Sequence, residues 1–165
     1  MAVSGGGYPR QGEHFRGANH NSSGPVFLPA PRSVSYFEDA GKTRLKPEMV
    51  DSRAEEWARS FAVPPCPLKT TQMRRFYDEL KAIERKILQA GSLQEQGENF
   101  AKNLALIKMF KAKAVYAEKR KVAPREFTQF IFDHVSSIAD AKDFRAFLKV
   151  FESVVAFHRF FAKEN

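Results

Sequence analysis

From Pro47 onward, apolar residues recur at three- and four-residue spacing, and five such stretches predict five helices. The first runs from about Pro47 to Ser60: Pro47 suits the first helical position, Glu48 and Asp51 suit the positive end of the dipole, and Met49, Val50, Trp57 and Phe61 supply the apolar residues. Val63-Pro64-Pro65-Cys66-Pro67 then excludes helix. In the second, Thr70 or Thr71 is the expected cap, Met73, Phe76, Tyr77, Leu80, Ile83, Ile87 and Leu88 form the apolar stripe, and Gly91 ends it. The third, from about Glu98 to Glu118, carries Phe100, Leu104, Ile107, Phe110, Ala114 and Ala117 on one side, with Ala101, Ala105, Met109, Ala112 and Tyr116 on the other. A helix apolar all round predicts a central position with neighbours on several faces.

Pro124 opens a fourth helix carrying Phe127, Phe130, Ile131, His134 and Ile138. The fifth, from about Asp140 to Lys163, has Phe144, Phe147, Leu148, Phe151, Val154, Val155, His158 and Phe161 on one side. No stretch alternates with period two, so no sheet is predicted. Short loops between amphipathic helices imply an all-α fold, a compact antiparallel bundle of about five helices spanning residues 47–165. Residues 1–46 hold seven of the nine glycines and no apolar period. They are expected to be a disordered Gly/Pro-rich tail, because they cannot bury enough surface to offset their ordering entropy.

Composition changes this picture in two ways. Nine of the 16 phenylalanines lie at or after Phe127, which implies either a well-packed C-terminal half or a surface awaiting a partner. The net charge of +8 favours a polyanion, either nucleic acid or an acidic membrane surface, although solubility alone also accounts for it. The single cysteine, Cys66, excludes an internal disulfide. The N-terminus has no apolar leader and no uncharged run approaches the roughly 18 residues of a membrane span, so a cytoplasmic protein without membrane contact is expected.

The residues do not spell out an active site. Cys66 stands between prolines with no local base. His14 and His20 fall in the tail, and only adventitious metal binding is expected of them. His134 and His158 lie on apolar helix faces, and a hydrolase using them would need both in a wet cleft. No Gly-rich phosphate loop, metal-ligand spacing or nucleophile elbow is present, so no catalytic residue, metal or cofactor is expected.

The sharper pattern is cationic. From Lys102 to Arg125 there are eight basic residues and one acidic residue, Glu118. Lysines leaving a buried helix must snorkel outward and would form a ridge along a common edge. Such a ridge can serve as a phosphate track, each cation releasing condensed counterions, or it can merely cap and solubilise that end. Arg74 and Arg75 make a weaker patch, with Asp78 and Glu79 one turn on able to pair with them. Basic and aromatic residues do not alternate, so contact is expected with the backbone rather than with stacked bases.

Three stretches in order resemble one family. They are Leu68 to Tyr77 (LKTTQMRRFY), Lys108 to Ala117 (KMFKAKAVYA) with Arg120 following, and Phe151 to Phe160 (FESVVAFHRF). Together they are similar to the small helical subunit of the type III-A (Csm-type) CRISPR effector complex of antiviral defence. The resemblance implies a non-catalytic subunit that stacks in several copies as a short filament beside the Csm backbone and large subunits, lining the channel of the target RNA paired with guide RNA. It implies RNA contacts at Lys108, Lys111, Lys113 and Arg120, with Arg75 as an addition. The adjoining Lys119 and Lys121 complete the expected RNA-binding set. The alternative is a helical protein-interaction scaffold without RNA contact, docking through Phe157 or Phe160.

Overall fold

The computed structural model describes Ala2 and residues 27–162, and the chain folds into seven helical segments. These are α1 (Pro47–Val50), α2 (Ser52–Phe61), α3 (Thr70–Leu88), α4 (Leu93–Lys108), α5 (Phe110–Lys119), α6 (Arg125–Ser137) and α7 (Ala141–Phe161). All five expected rods are present in an all-α fold. The first is interrupted at Asp51 into α1 and α2, and the third at Met109 into α4 and α5. The second interruption is local, because Met109 N still donates to Ala105 O at 3.0 Å and Lys113 N to Met109 O at 3.1 Å. Among the described residues there is no strand, only an isolated antiparallel bridge between Phe37 and Leu45.

Local chemistry sets the starts. Ser92 and Glu95 form a reciprocal capping box that begins α4 a full turn ahead of the expected Glu98. Asp140 caps α7 by accepting from Asp143 N at 2.9 Å. Neither expected threonine caps α3: the cap position is Lys69, without a side-chain bond, and Thr70 is already helical.

The buried centre is α6, and the expectation that the third predicted helix is central is corrected. Phe127, Thr128 and Phe130 through Val135 are all buried. α2 lays Trp57 and Phe61 against Phe130, at ring distances of 5.2 and 5.4 Å. α7 lays Phe147 and Phe151 on the same ring, at 6.0 and 5.6 Å. α5 packs on another flank, where Thr128 Oγ1 donates to Ala114 O at 3.5 Å. Edge-to-face pairs such as Phe61–Phe127 fill the core between them. Truncating a buried Phe to Ala costs roughly 3–5 kcal/mol, a large part of the roughly 5–15 kcal/mol that holds a domain together. By contrast α4–α5 buries one side only, through Phe100, Ile107, Phe110, Ala114 and Ala117, and Ala101, Ala105, Met109, Ala112 and Tyr116 are exposed.

The last side of α6 is covered by residues 27–46, a strap that the sequence places in the disordered tail. Arg32 donates from its backbone N to Asp133 Oδ1 at 2.8 Å and from Nε to Oδ2 at 3.0 Å. Val34 N donates to Ser137 Oγ at 2.8 Å, and Gln129 Nε2 donates to Ala30 O at 2.8 Å. Lys42 bridges Asp140 and Asp143 at 2.6 and 2.7 Å. Tyr36 is buried, and its hydroxyl shares a 2.9 Å hydrogen bond with His134 Nδ1. The packed body therefore begins well before Pro47. Of the expected tail, Met1 and residues 3–26, with His14 and His20 among them, lie outside the described residues, as do residues 163–165 at the far end.

His134 has no exposure, and burial, aided by the Arg53 charge, pushes its pKa down to about 3. In the unfolded chain it returns to near 6.5. Protons then bind the unfolded state first as pH falls, so stability is full above about 6.5 and is lost from there toward 3. The urea midpoint is expected to drop between pH 7 and pH 5, with a contribution from His134 of about 1.4 kcal/mol per pH unit. In a His134→Phe chain the same titration should be flatter; an unchanged slope means the imidazole is not the group responsible.

Candidate nucleic-acid interface

At about 100° per residue, the cations of α4–α5 fall on two edges rather than one. Lys108, Lys111 and Lys119 lie toward α6, while Lys102, Lys113 and Arg120 lie toward α3. The side-chain contacts agree. Lys108 Nζ donates to Val135 O at 2.7 Å and Ile138 O at 3.2 Å, closing the C-terminal end of α6. Burial, and then the neighbouring Lys111 charge, lowers the Lys108 pKa. The Lys111 ammonium stands 5.5 Å from the Phe132 ring centre. Lys113, on the opposite edge, pairs with Glu79 of α3 and sits 4.9 Å from the Phe110 ring centre. The Arg120 guanidinium lies 5.5 Å over Tyr116. The expected common ridge is thus split, and one of its members, Lys108, is committed to the fold.

The α3 side forms a groove. Glu79, Ala82, Lys86, Met109 and Lys113 border it, and Arg74, Arg75, Asp78, Glu79 and Ala82 border a depression beside it on α3 alone. Glu79 and Ala82 are common to both, so Arg75 stands on α3 next to the groove that Lys86 and Lys113 flank. Its floor includes Ile83, Leu106 and Phe110. At the far end of α5, Lys119, Arg120 and Lys121 are exposed and make no ion pair among the described residues, and Lys121 takes a left-handed φ of 56° where the chain turns toward α6. Arg125, the last of the cationic run, instead turns back to Glu118 at 3.1 Å and to Phe27 O at 2.8 Å.

Energetics separate these cations. Lys108 makes charge-assisted bonds from a half-buried position, and such bonds are worth roughly 1.5–3 kcal/mol. The Lys113–Glu79 pair is more than two-fifths exposed on both sides, and exposed pairs are worth roughly 0–1 kcal/mol. A phosphate oxygen can therefore displace Glu79 from Lys113, whereas drawing Lys108 away costs the end of α6.

The histidines do not make a wet cleft. His134 is packed between Phe130 and Phe147, with ring centres 4.3 and 5.1 Å away, and His158 is buried in α7. The hydrolase reading fails on that packing. Among the described residues no three His, Cys, Asp or Glu side chains converge as a metal site, and no helix is long and apolar enough to cross a membrane.

Residues 44–164, from the end of the strap through α7, match the family model described as Csm2 Type III-A. The chain belongs to the Csm2 family. It is a small subunit of the type III-A CRISPR effector, the Csm complex. No curated protein and no solved structure matches it. The Csm2 match begins after Arg32, Tyr36 and Lys42, so most of the strap over α6 lies outside it.

Two cations of the α3 side stand outside the expected RNA-binding set: Lys86, and Lys102, which was counted only as part of the cationic run. The signal was present in the spacing: Lys102, Lys113 and Arg120 are 11 and 7 residues apart, which returns each to within about 20° of the same line on a helix. Lys108→Met is expected to lower stability by about 1.5–3 kcal/mol in urea unfolding and to leave the salt dependence of RNA binding unchanged. A normal unfolding midpoint in that variant removes Lys108 from its capping role.

Proposed function

We propose that this Csm2-family subunit is a non-catalytic, cytoplasmic component that grips the sugar-phosphate backbone of target RNA paired with guide RNA. On this reading several copies stack in a row against the Csm backbone and large subunits. The grip is assigned to the α3-side edge, with Arg75, Lys113 and Arg120 along it, Lys121 just past its end, and Lys119 reaching in from the α6 side. Lys111 is a secondary contact, on the other edge. Lys108, of the residues expected to bind RNA, keeps a structural part.

The observation that carries this reading is that cations from two different helices, Lys86 of α3 and Lys113 of α5, border one groove, with Arg75 on the adjoining surface of α3. A phosphate chain laid there would meet an ammonium group on each wall and the Arg75 guanidinium beside it. The interaction is electrostatic and independent of base identity. A scaffold without RNA contact is the competing reading, favoured by the exposed Phe160 at the end of α7. The two are compatible, since a stacked subunit needs apolar faces as well as a basic flank.

RNA binding by the full chain is expected to weaken steeply with salt. Arg75→Ala, Lys113→Ala and Arg120→Ala together should flatten the slope of log K against log salt by about 0.7–0.9 for each phosphate no longer neutralised. The same slope in the triple variant, with its helical circular dichroism intact, removes the phosphate track and leaves the scaffold.

A further inference from the structure

Among the described residues, two apolar patches stand uncovered. One is a groove of about 670 Å³ between α1–α2 and the end of α7, bordered by Val50, Arg59, Ala156, Phe157, Phe160 and Phe161, with Phe160 83% exposed. The other is the outward strip of α4–α5: Ala101, Ala105, Met109, Ala112 and Tyr116, of which Met109 is 54% and Tyr116 63% exposed. Steps of four, four, three and four residues keep this strip in line, the spacing by which one helix seats against another surface. The patches lie on different sides of the core. α2 packs on α6 and α7, while α5 packs on a separate flank of α6. One chain cannot cover its own strip with its own groove.

Charge decides which patch meets which. Strip against strip would oppose two copies of residues 102–121, each with seven cations and only Glu118 against them. Groove against groove would oppose two copies of α1–α2, each with Glu48, Asp51, Glu55 and Glu56 against Arg53 and Arg59. Like charges resist both of those pairings. Strip against groove sets the cationic flanks of α5 beside the acidic rim of α1–α2.

We propose that the α4–α5 strip of one copy docks in the α2/α7 groove of the next copy, head to tail. This rests on the stacking reading and adds to it the two faces and the polarity. Patches that face apart generate an open row rather than a closed pair.

The test uses the full chain with Cys66→Ser, carrying Tyr116→Cys in one preparation and Phe160→Cys in another, treated with a short bismaleimide. Cross-linked dimers are expected in the mixture and not in either preparation alone. Phe160→Glu and Tyr116→Glu should each shift sedimentation toward the monomer with helicity unchanged, and at concentrations where the parent chain is itself monomeric Phe160→Glu should leave the salt slope of RNA binding as it was. Cross-links formed within a single preparation mean that like faces meet, and overturn the pairing. A chain that sediments as a monomer at every concentration, with no cross-link, overturns both the pairing and the stacking reading. The salt slope then still judges the RNA reading by itself, and a flat slope beside a mixed cross-link sinks the RNA reading alone.

Discussion

Beyond its first turn, where Arg125 and Glu126 are exposed, α6 leaves little surface to solvent, and the rest of the molecule is arranged by how each side of it is covered. Its aromatic side, Phe127, Phe130 and His134, is met by α2 and α7. Its small-residue side, at Thr128, is met by α5. Its polar side, Gln129, Asp133 and Ser137, is met by the strap. The polar side is the demanding one: a buried carboxylate or hydroxyl without a partner costs free energy, and three side chains there are each bonded to strap groups. Its C-terminal carbonyls, Val135 O and Ile138 O, are closed by Lys108. A helix buried on every side must have its last turn satisfied from outside its own length, and a long cationic side chain from α4 reaches it.

That requirement divides a run of similar lysines into different roles. Lys108 is drawn inward to carbonyls, and Lys111 beside it lies over an aromatic ring of the same helix. Five residues on from Lys108, Lys113 points the other way and meets only an exposed carboxylate. Net charge does not distinguish the two. The local dielectric does: a bond made in a half-buried setting holds its partner, whereas an ion pair in water exchanges readily. A cationic stretch of this kind is thus partly a piece of the core and partly exposed surface.

The all-helical architecture and the five rods were legible because each rod keeps an apolar stripe at helical spacing, as in α3 with Met73, Phe76, Leu80, Ile83 and Ile87 buried. The order of burial was not legible. α4–α5 reads as apolar all round because alanines and a Met–Tyr pair occupy its outer face, and small apolar residues cost little when exposed. α6 reads as amphipathic because Gln129, Asp133 and Ser137 share one side, and only the strap makes that side an interior. The strap itself carries no period. Its order comes from a few distant partners, such as Tyr36 with His134 and Lys42 with Asp140, which local patterning cannot register. The candidate interface was half legible: the cations could be named, but the edge each one faces depends on the neighbouring helices.

The two proposed surfaces of α5 constrain one another. The apolar strip and the α3-side edge are adjacent on one helix and meet at Met109, so a partner seated on the strip would lie against the rim of the phosphate groove. A row of copies joined through the strip would therefore carry its grooves in register, one set of cations per repeat. On the RNA reading a single copy would offer few cations to the phosphates, and its grip would be weak at physiological salt. In a row, the first engagement raises the effective concentration of the strand at the next groove, and the affinities compound without any new kind of bond. A weak, exchangeable pair such as Lys113–Glu79 suits that arrangement better than a strong site would. It lets each repeat yield to the strand separately while the buried aromatic core keeps the spacing between repeats fixed.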